Sequence, residues 1–209
     1  MPVLGFGTLI PDAAATISAT TQALEAGFRH FDCAERYRNE REVGEALQAG
    51  IAAGRIARED IFVTTKLWNT NHRPERVEPA FEASLDRLRI NYLDLYLIHT
   101  PFAFQPGEEQ DPRDQNGNVL YDRDVNLLDT WRAMESLVDH GKCRAIGLSD
   151  ITLDELVPIL RIGENKARRD PGRSASLSAR NRAAGILHAE GHRVFGFCAI
   201  GPWNKAGAA

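Results

Sequence analysis

The sequence predicts an α/β fold: a parallel (β/α)8 barrel of the TIM type, with about five β/α units recognisable ahead of an atypical tail. Three observations carry this. Strand-like and helix-like stretches alternate five times in a row, each unit running to roughly thirty residues, the pattern of a parallel sheet with helices outside it. The run Leu93–His99 is almost continuously apolar, as suits a strand buried on both faces. Asp32, Lys66, His99 and Ser149 fall at the C-terminal ends of successive strands. In a closed β/α barrel those ends converge on the face that holds the active site, and this decides against an open doubly wound sheet.

Each element follows from local chemistry. Leu4–Leu9 is an apolar, glycine-containing run that predicts the first strand. Pro11-Asp12 opens a helix reaching about Ala26, with Ile17, Leu24 and the alanines on one face and Gly27 as its stop. The second strand spans about Arg29–Cys33. The next helix runs from Asn39 to about Ala53, with Val43, Leu47 and Ile51 at a spacing of four. Ile61–Lys66 is the third strand, and the third helix spans Pro74–Leu88 with Val77, Phe81, Leu85 and Leu88 on one side. After the fourth strand, Leu93–His99, comes a long polar loop over about 101–124. A loop of that length inside a compact domain points to function or disorder. Among its acidic residues, Asp111, Asp114 and Asp122 lack calcium-loop spacing and are expected to be solvated. A helix from Leu127 to about His140 presents Trp131, Met134, Leu137 and Val138 inward. Cys143–Ser149 is the fifth strand, followed by a short helix from near Thr152 to near Ile162.

The totals exclude some classes. A net charge of -4 gives no reason to expect nucleic acid or an anionic membrane as partner. There is no secretory leader pattern at the N-terminus and no apolar run near the ~20 residues of a membrane span. Cys33, Cys143 and Cys198 are scattered and fit reduced core residues of a cytoplasmic protein.

The polar residues define a chemistry. A tyrosine phenol is a poor acid by itself, and a nearby ammonium favours its ionised form. Around one cavity, Lys66 supplies that ammonium to Tyr37, Asp32 holds Lys66 in place, and His99 can donate a hydrogen bond to a carbonyl oxygen. Such a set donates a proton while hydride arrives from a cofactor. Taken singly, Asp32 reads as a cap, Lys66 as a solvated strand end, His99 as a core histidine, and Trp68 equally as core or pocket wall. It is the joint placement at successive strand ends that points to a site.

The motifs GFRHFDCAERYRNEREVGEAL, VTTKLW, DLYLIHTP and CRAIGLSD resemble the aldo-keto reductase family over residues 3 to about 162. The resemblance implies NADPH-dependent reduction of a small aldehyde or ketone. Tyr37 would be the general acid, Lys66 and Asp32 its tuning pair, and His99 the orienting or proton-relaying group. Trp68 and His99 would line the substrate pocket. Thr8, Asp32, Ser149 and Asp150 would face the cofactor, with Asp150 standing where the family usually carries Asn. No metal is implied. A non-enzymatic barrel of the same family, or an inactive chain, is the alternative.

Beyond Gly163 the resemblance stops. Residues 1–162 are assigned to the barrel portion and 163–209 to an atypical tail of the same domain. The family's later strands, with a ring-stacking aromatic and a phosphate-binding basic cluster, are not recognisable there. Read one base on, the codons compatible with this tail permit runs resembling the sixth and seventh units. The tail is therefore expected to be out of frame, leaving exposed sheet edges, with Val194–Ile200 as a makeshift strand.

Overall fold

In a computed structural model of the chain, residues 1–152, 156 and 198–200 are described. Five strands pair in chain order and all in parallel: β1 (Phe6–Gly7), β2 (His30–Asp32), β3 (Phe62–Leu67), β4 (Leu95–Ile98) and β5 (Ile146–Leu148). A sixth, β6 (Cys198–Ile200), pairs antiparallel with β5. Four helices lie between the first five strands and after the long loop: α1 (Ala13–Glu25), α2 (Glu40–Ala52), α3 (Pro74–Leu88) and α4 (Leu127–Asp139). The predicted parallel β/α array of barrel type is present over these five strands. The short helix near 152–162, the division at residue 162 and the frame of the tail lie outside the described residues, β6 excepted.

The strands are buried on both faces, which is why their sequences do not alternate. All six residues of β3 are buried. One face of the sheet offers Phe31, Val63, Leu67, Tyr96, Ile98, Ile146 and Leu148 to the helices. Those residues pack with Val43 and Leu47 of α2, Val77, Phe81 and Leu88 of α3, and Trp131, Met134 and Leu137 of α4. The pleat turns the intervening positions the other way, where Phe62, Leu95 and Leu97 form a second cluster.

Local chemistry sets the helix ends. Asp12 caps α1 by accepting from the Ala15 N–H at 2.6 Å, and Gly27, at φ +91°, turns the chain back toward β2. Pro74 starts α3, where its missing N–H costs nothing. Asn39 precedes α2 but does not cap it. Its Nδ2 donates to the carbonyls of Thr8 and Ile10 at 2.6 and 3.0 Å, tying α2 to the exit of β1.

The structure corrects three expectations. β1 is two residues long, and Leu4 and Leu9 are exposed; Gly5 lies against the His30 ring, where a Cβ would sit 2.9 Å from Nδ1. The buried stripe of α1 is Thr16, Thr20, Ala23 and Leu24, with Ile17 only partly covered, because Thr16 satisfies its hydroxyl on the carbonyls of Asp12 and Ile10. Asp122 is buried and not solvated, paired with Arg73 at 2.7 Å.

Gly44 is where α2 touches α3 backbone to backbone. A Cβ there would lie 2.5 Å from the Leu88 carbonyl oxygen. Gly44→Ala gains helix propensity of roughly 1 kcal/mol but must push two helices apart. The net expected effect is a loss of about 1–3 kcal/mol, checked as the urea midpoint; an unchanged or raised midpoint would contradict this packing.

Candidate active site

At the C-terminal end of β3, Lys66 reaches across to β2. Its Nζ donates to Asp32 Oδ1 at 2.8 Å and to the Cys33 carbonyl at 2.8 Å, and lies 3.5 Å from the Tyr37 hydroxyl. It also stands 5.1 Å from the centre of the Tyr37 ring. Lys66 is almost fully buried, whereas the Asp32 side chain keeps 23% exposure and so opens toward the site. Geometry explains the pairing: Asp32 and Lys66 lie at or next to the C-terminal ends of β2 and β3, which are neighbouring parallel strands.

Tyr37 ends a 3-10 turn, Glu35–Tyr37, between β2 and α2. That turn is fixed from both sides. The Glu35 carboxylate accepts from the Trp68 backbone N–H at 3.1 Å and from Asn71 Nδ2 at 2.9 Å. Gln110, from the long loop, donates to the Glu35 carbonyl at 3.2 Å and accepts from Arg36 and Arg38 at 3.3 and 2.5 Å. Its carbonyl takes the Trp68 Nε1–H at 2.7 Å. The loop is therefore ordered against the Tyr37 turn. Three of its acids do three separate jobs: Asp111 pairs with Arg36, Asp122 with Arg73, and Asp114 accepts from the Asn116 and Asn118 N–H groups to close a turn.

His99 follows β4 and meets both aromatic rings edge-on, Tyr37 at 6.0 Å and Trp68 at 5.1 Å between centres. Its Nδ1 is buried without a hydrogen-bond partner among the described residues. Ser149 and Asp150 follow β5. The Ser149 N–H extends the ladder to the Ile98 carbonyl at 2.9 Å. Asp150 has φ +52°, a left-handed conformation that Asn and Asp tolerate best, and its Oδ1 is buried and unpartnered among the described residues. Thr8 is fully buried behind Asp32, with both its N–H and its hydroxyl donating to the Asp32 carbonyl at 3.0 Å. The sequence-predicted residues are thus brought to one rim, Thr8 as a support of the strand end beneath it.

Burial, followed by the charges of Lys66, Arg36 and His72, pushes the His99 ring down to about 3. Burial also takes His72 down to about 4. Both are neutral at pH 7. The unfolded chain takes up these protons near pH 6.5, whereas the folded chain refuses them until its lower values are reached. Stability is therefore full above that pH and falls as acid is added, by about 1.4 kcal/mol per pH unit for each histidine. Urea midpoints compared at about pH 7 and about pH 5 check this; equal midpoints would contradict it.

Glu35, Arg36, Gln110 and His72 were not among the sequence candidates. Glu35 and Arg36 directly precede Tyr37 in the motif and were legible by adjacency alone. Gln110 lies 75 positions from Glu35 and carries no local signal. The buried thiols of Cys33 and Cys143 are free, and burial raises both, Cys143 to about 12, so neither is a nucleophile here.

Comparison with known proteins places these features. Residues 4–170 match the model of the Aldo/keto reductase family. Aldo-keto reductase family 1 member C3 of Homo sapiens is 50% identical over 163 residues, covering 77% of this chain and 50% of that protein. Estradiol 17 beta-dehydrogenase 5 of Mus musculus is 48% identical over 165 residues, with the same coverage. The solved structure of the aldose reductase from Schistosoma japonicum superposes with a TM-score of 0.75 at 48% identity, covering 77% of this chain and 53% of that one. The chain spans about half the length of the curated relatives it matches.

Proposed function

The chain belongs to the aldo/keto reductase family, and on that premise we propose that it reduces the carbonyl group of a small aldehyde or ketone with NADPH. The observation that carries the proposal is the Lys66 ammonium, held at once by Asp32 and by the Cys33 carbonyl and aimed at the Tyr37 oxygen. In this reading Tyr37 gives its proton to the substrate oxygen. Lys66 stabilises the negative charge left on the phenol oxygen, and Asp32 keeps the lysine in place. His99, neutral at working pH, is too weak an acid to replace Tyr37; it donates a hydrogen bond that orients the carbonyl. Trp68 forms the wall beside it. The assignment of residues 1–162 as the catalytic portion of the chain is part of the same proposal.

NADPH, when bound, supplies the hydride. The residues at the rim fit a nicotinamide carboxamide. Asp150 Oδ1 lacks a donor among the described residues and would accept from the amide N–H, while Ser149 and the open side of Asp32 complete the polar edge. Among the described residues no helix is long and apolar enough to cross a membrane, and a cytoplasmic location remains part of this proposal.

The test is a titration of the 209-residue chain with NADPH, read by tryptophan fluorescence. Saturable quenching, followed by aldehyde-dependent oxidation of NADPH, is the expected result. A flat titration would overturn the proposal and leave a family member without cofactor chemistry.

A further inference from the structure

Arg36 is the residue of this rim that the mechanism leaves without a task. It directly precedes Tyr37, and its guanidinium lies 5.3 Å from the centre of the Trp68 ring. The Trp68 ring in turn meets His99. A full positive charge therefore stands one ring away from the group that orients the carbonyl, close enough to act on the His99 ring. Stacked on an indole, a guanidinium is held rigid and weakly hydrated, the state in which arginine recognises carboxylates best.

The present partner of Arg36 is itself a carboxylate. Nη2 donates to Asp111 Oδ2 at 2.6 Å, and Nη1 to Gln110 Oε1 at 3.3 Å, engaging two of the five N–H donors a guanidinium carries. The Arg36 and Asp111 side chains are 39% and 36% exposed. An ion pair so open to water is weak and easily exchanged. The neighbouring Lys66–Asp32 pair, with exposures of 4% and 23%, is far better sealed. Asp111 also comes from the long loop, 75 positions from Arg36 and off the strand scaffold.

We propose that Arg36 receives a carboxylate of the substrate, which takes the place of Asp111, so that the site selects carbonyl compounds bearing a carboxylate. The inference rests on the carbonyl-reductase reading and names its substrate class. The swap exchanges one carboxylate for another on the same guanidinium and changes no covalent bond.

The test measures a preference, not a rate. Calorimetric titration of the full chain with NADPH present compares 4-(hydroxymethyl)benzoate with benzyl alcohol, the alcohols that reduction of 4-carboxybenzaldehyde and benzaldehyde would give. The carboxylate is expected to bind at least about tenfold more tightly. Arg36→Met should bring that ratio near one, Arg36→Lys should restore part of it, and Asp111→Asn should raise it by removing the resident competitor. Added salt should erode it. A ratio near one in the unaltered chain, or one indifferent to both Arg36→Met and Asp111→Asn, overturns the inference. Parallel turnover assays with the two aldehydes separate the layers. Reduction of both without preference sinks the carboxylate site and leaves the reductase reading standing. Selective binding without any NADPH oxidation supports the carboxylate site and sinks the reductase reading.

Discussion

Tyr37→Phe is expected to lower kcat for carbonyl reduction by about 10²–10⁴-fold, the usual worth of a positioned proton donor. The substitution removes one oxygen and keeps the ring. The ring's contacts with His99 at 6.0 Å and with the Lys66 ammonium at 5.1 Å are retained. Lys66 keeps its two shorter hydrogen bonds, to Asp32 and the Cys33 carbonyl, so the rim should stay assembled. What disappears is the proposed acid. The measurement is steady-state oxidation of NADPH with a fixed aldehyde, alongside the cofactor titration. A variant that turns over within a few-fold of the parent would mean that the proton comes from elsewhere. His99, held neutral by burial, would then be hard to defend as the donor.

The largest expected loss of stability lies at the opposite end of the strands. Asp94 is 1% exposed. Its Oδ2 accepts from Arg58 at 2.9 Å and from the Val63 backbone N–H at 3.0 Å, and its Oδ1 accepts from Arg144 at 2.8 Å. Both guanidiniums lie on the Tyr92 ring, at 3.8 and 4.4 Å from its centre. One carboxylate thus joins the N-terminal ends of β3, β4 and β5. Asp94→Ala leaves a buried N–H unsatisfied and the nearly buried Arg58 without its counter-charge, at a cost of about 3–5 kcal/mol. Arg144→Ala removes only the half-exposed partner and should cost about 1 kcal/mol or less. Urea denaturation of both variants decides it, and equal losses would show that the carboxylate is not the keystone.

The contrast between Asp94 and Gln110 shows what a sequence can reveal. Strand positions were legible because burial on both faces favours apolar and β-branched runs, and Asp32, Lys66 and His99 stand out because each is a polar residue at the C-terminal end of a successive strand. Asp94 sits inside the Leu93–Ile98 run with no local signal of its role; its partners arrive from Arg58 and Arg144, 36 and 50 positions away. Gln110 and Asp111 were hidden more deeply. They belong to a polar loop whose composition fits solvent as well as contact, and their partners lie 72 to 75 positions back. The direction of β6 was hidden too, since the apolar run near Val194–Ile200 suits either sense of pairing, and the strand runs against β5. In α1 the apolar Ile17 outweighed Thr16 by type. The threonine is nonetheless the buried residue, because its hydroxyl can be satisfied within its own helix.

Lys66 lies three residues beyond Val63 on β3, roughly 10 Å along the strand. At one end of that short span the backbone is anchored to Asp94; at the other it presents the ammonium that faces Tyr37. Robustness and novelty are thereby housed apart. A laboratory library that varies the exposed positions of the 101–124 loop, sparing the buried Ala103, Phe104 and Asp122 and the Gln110 contacts, leaves the Asp94 anchor untouched, so its members can be sorted mainly by what they bind.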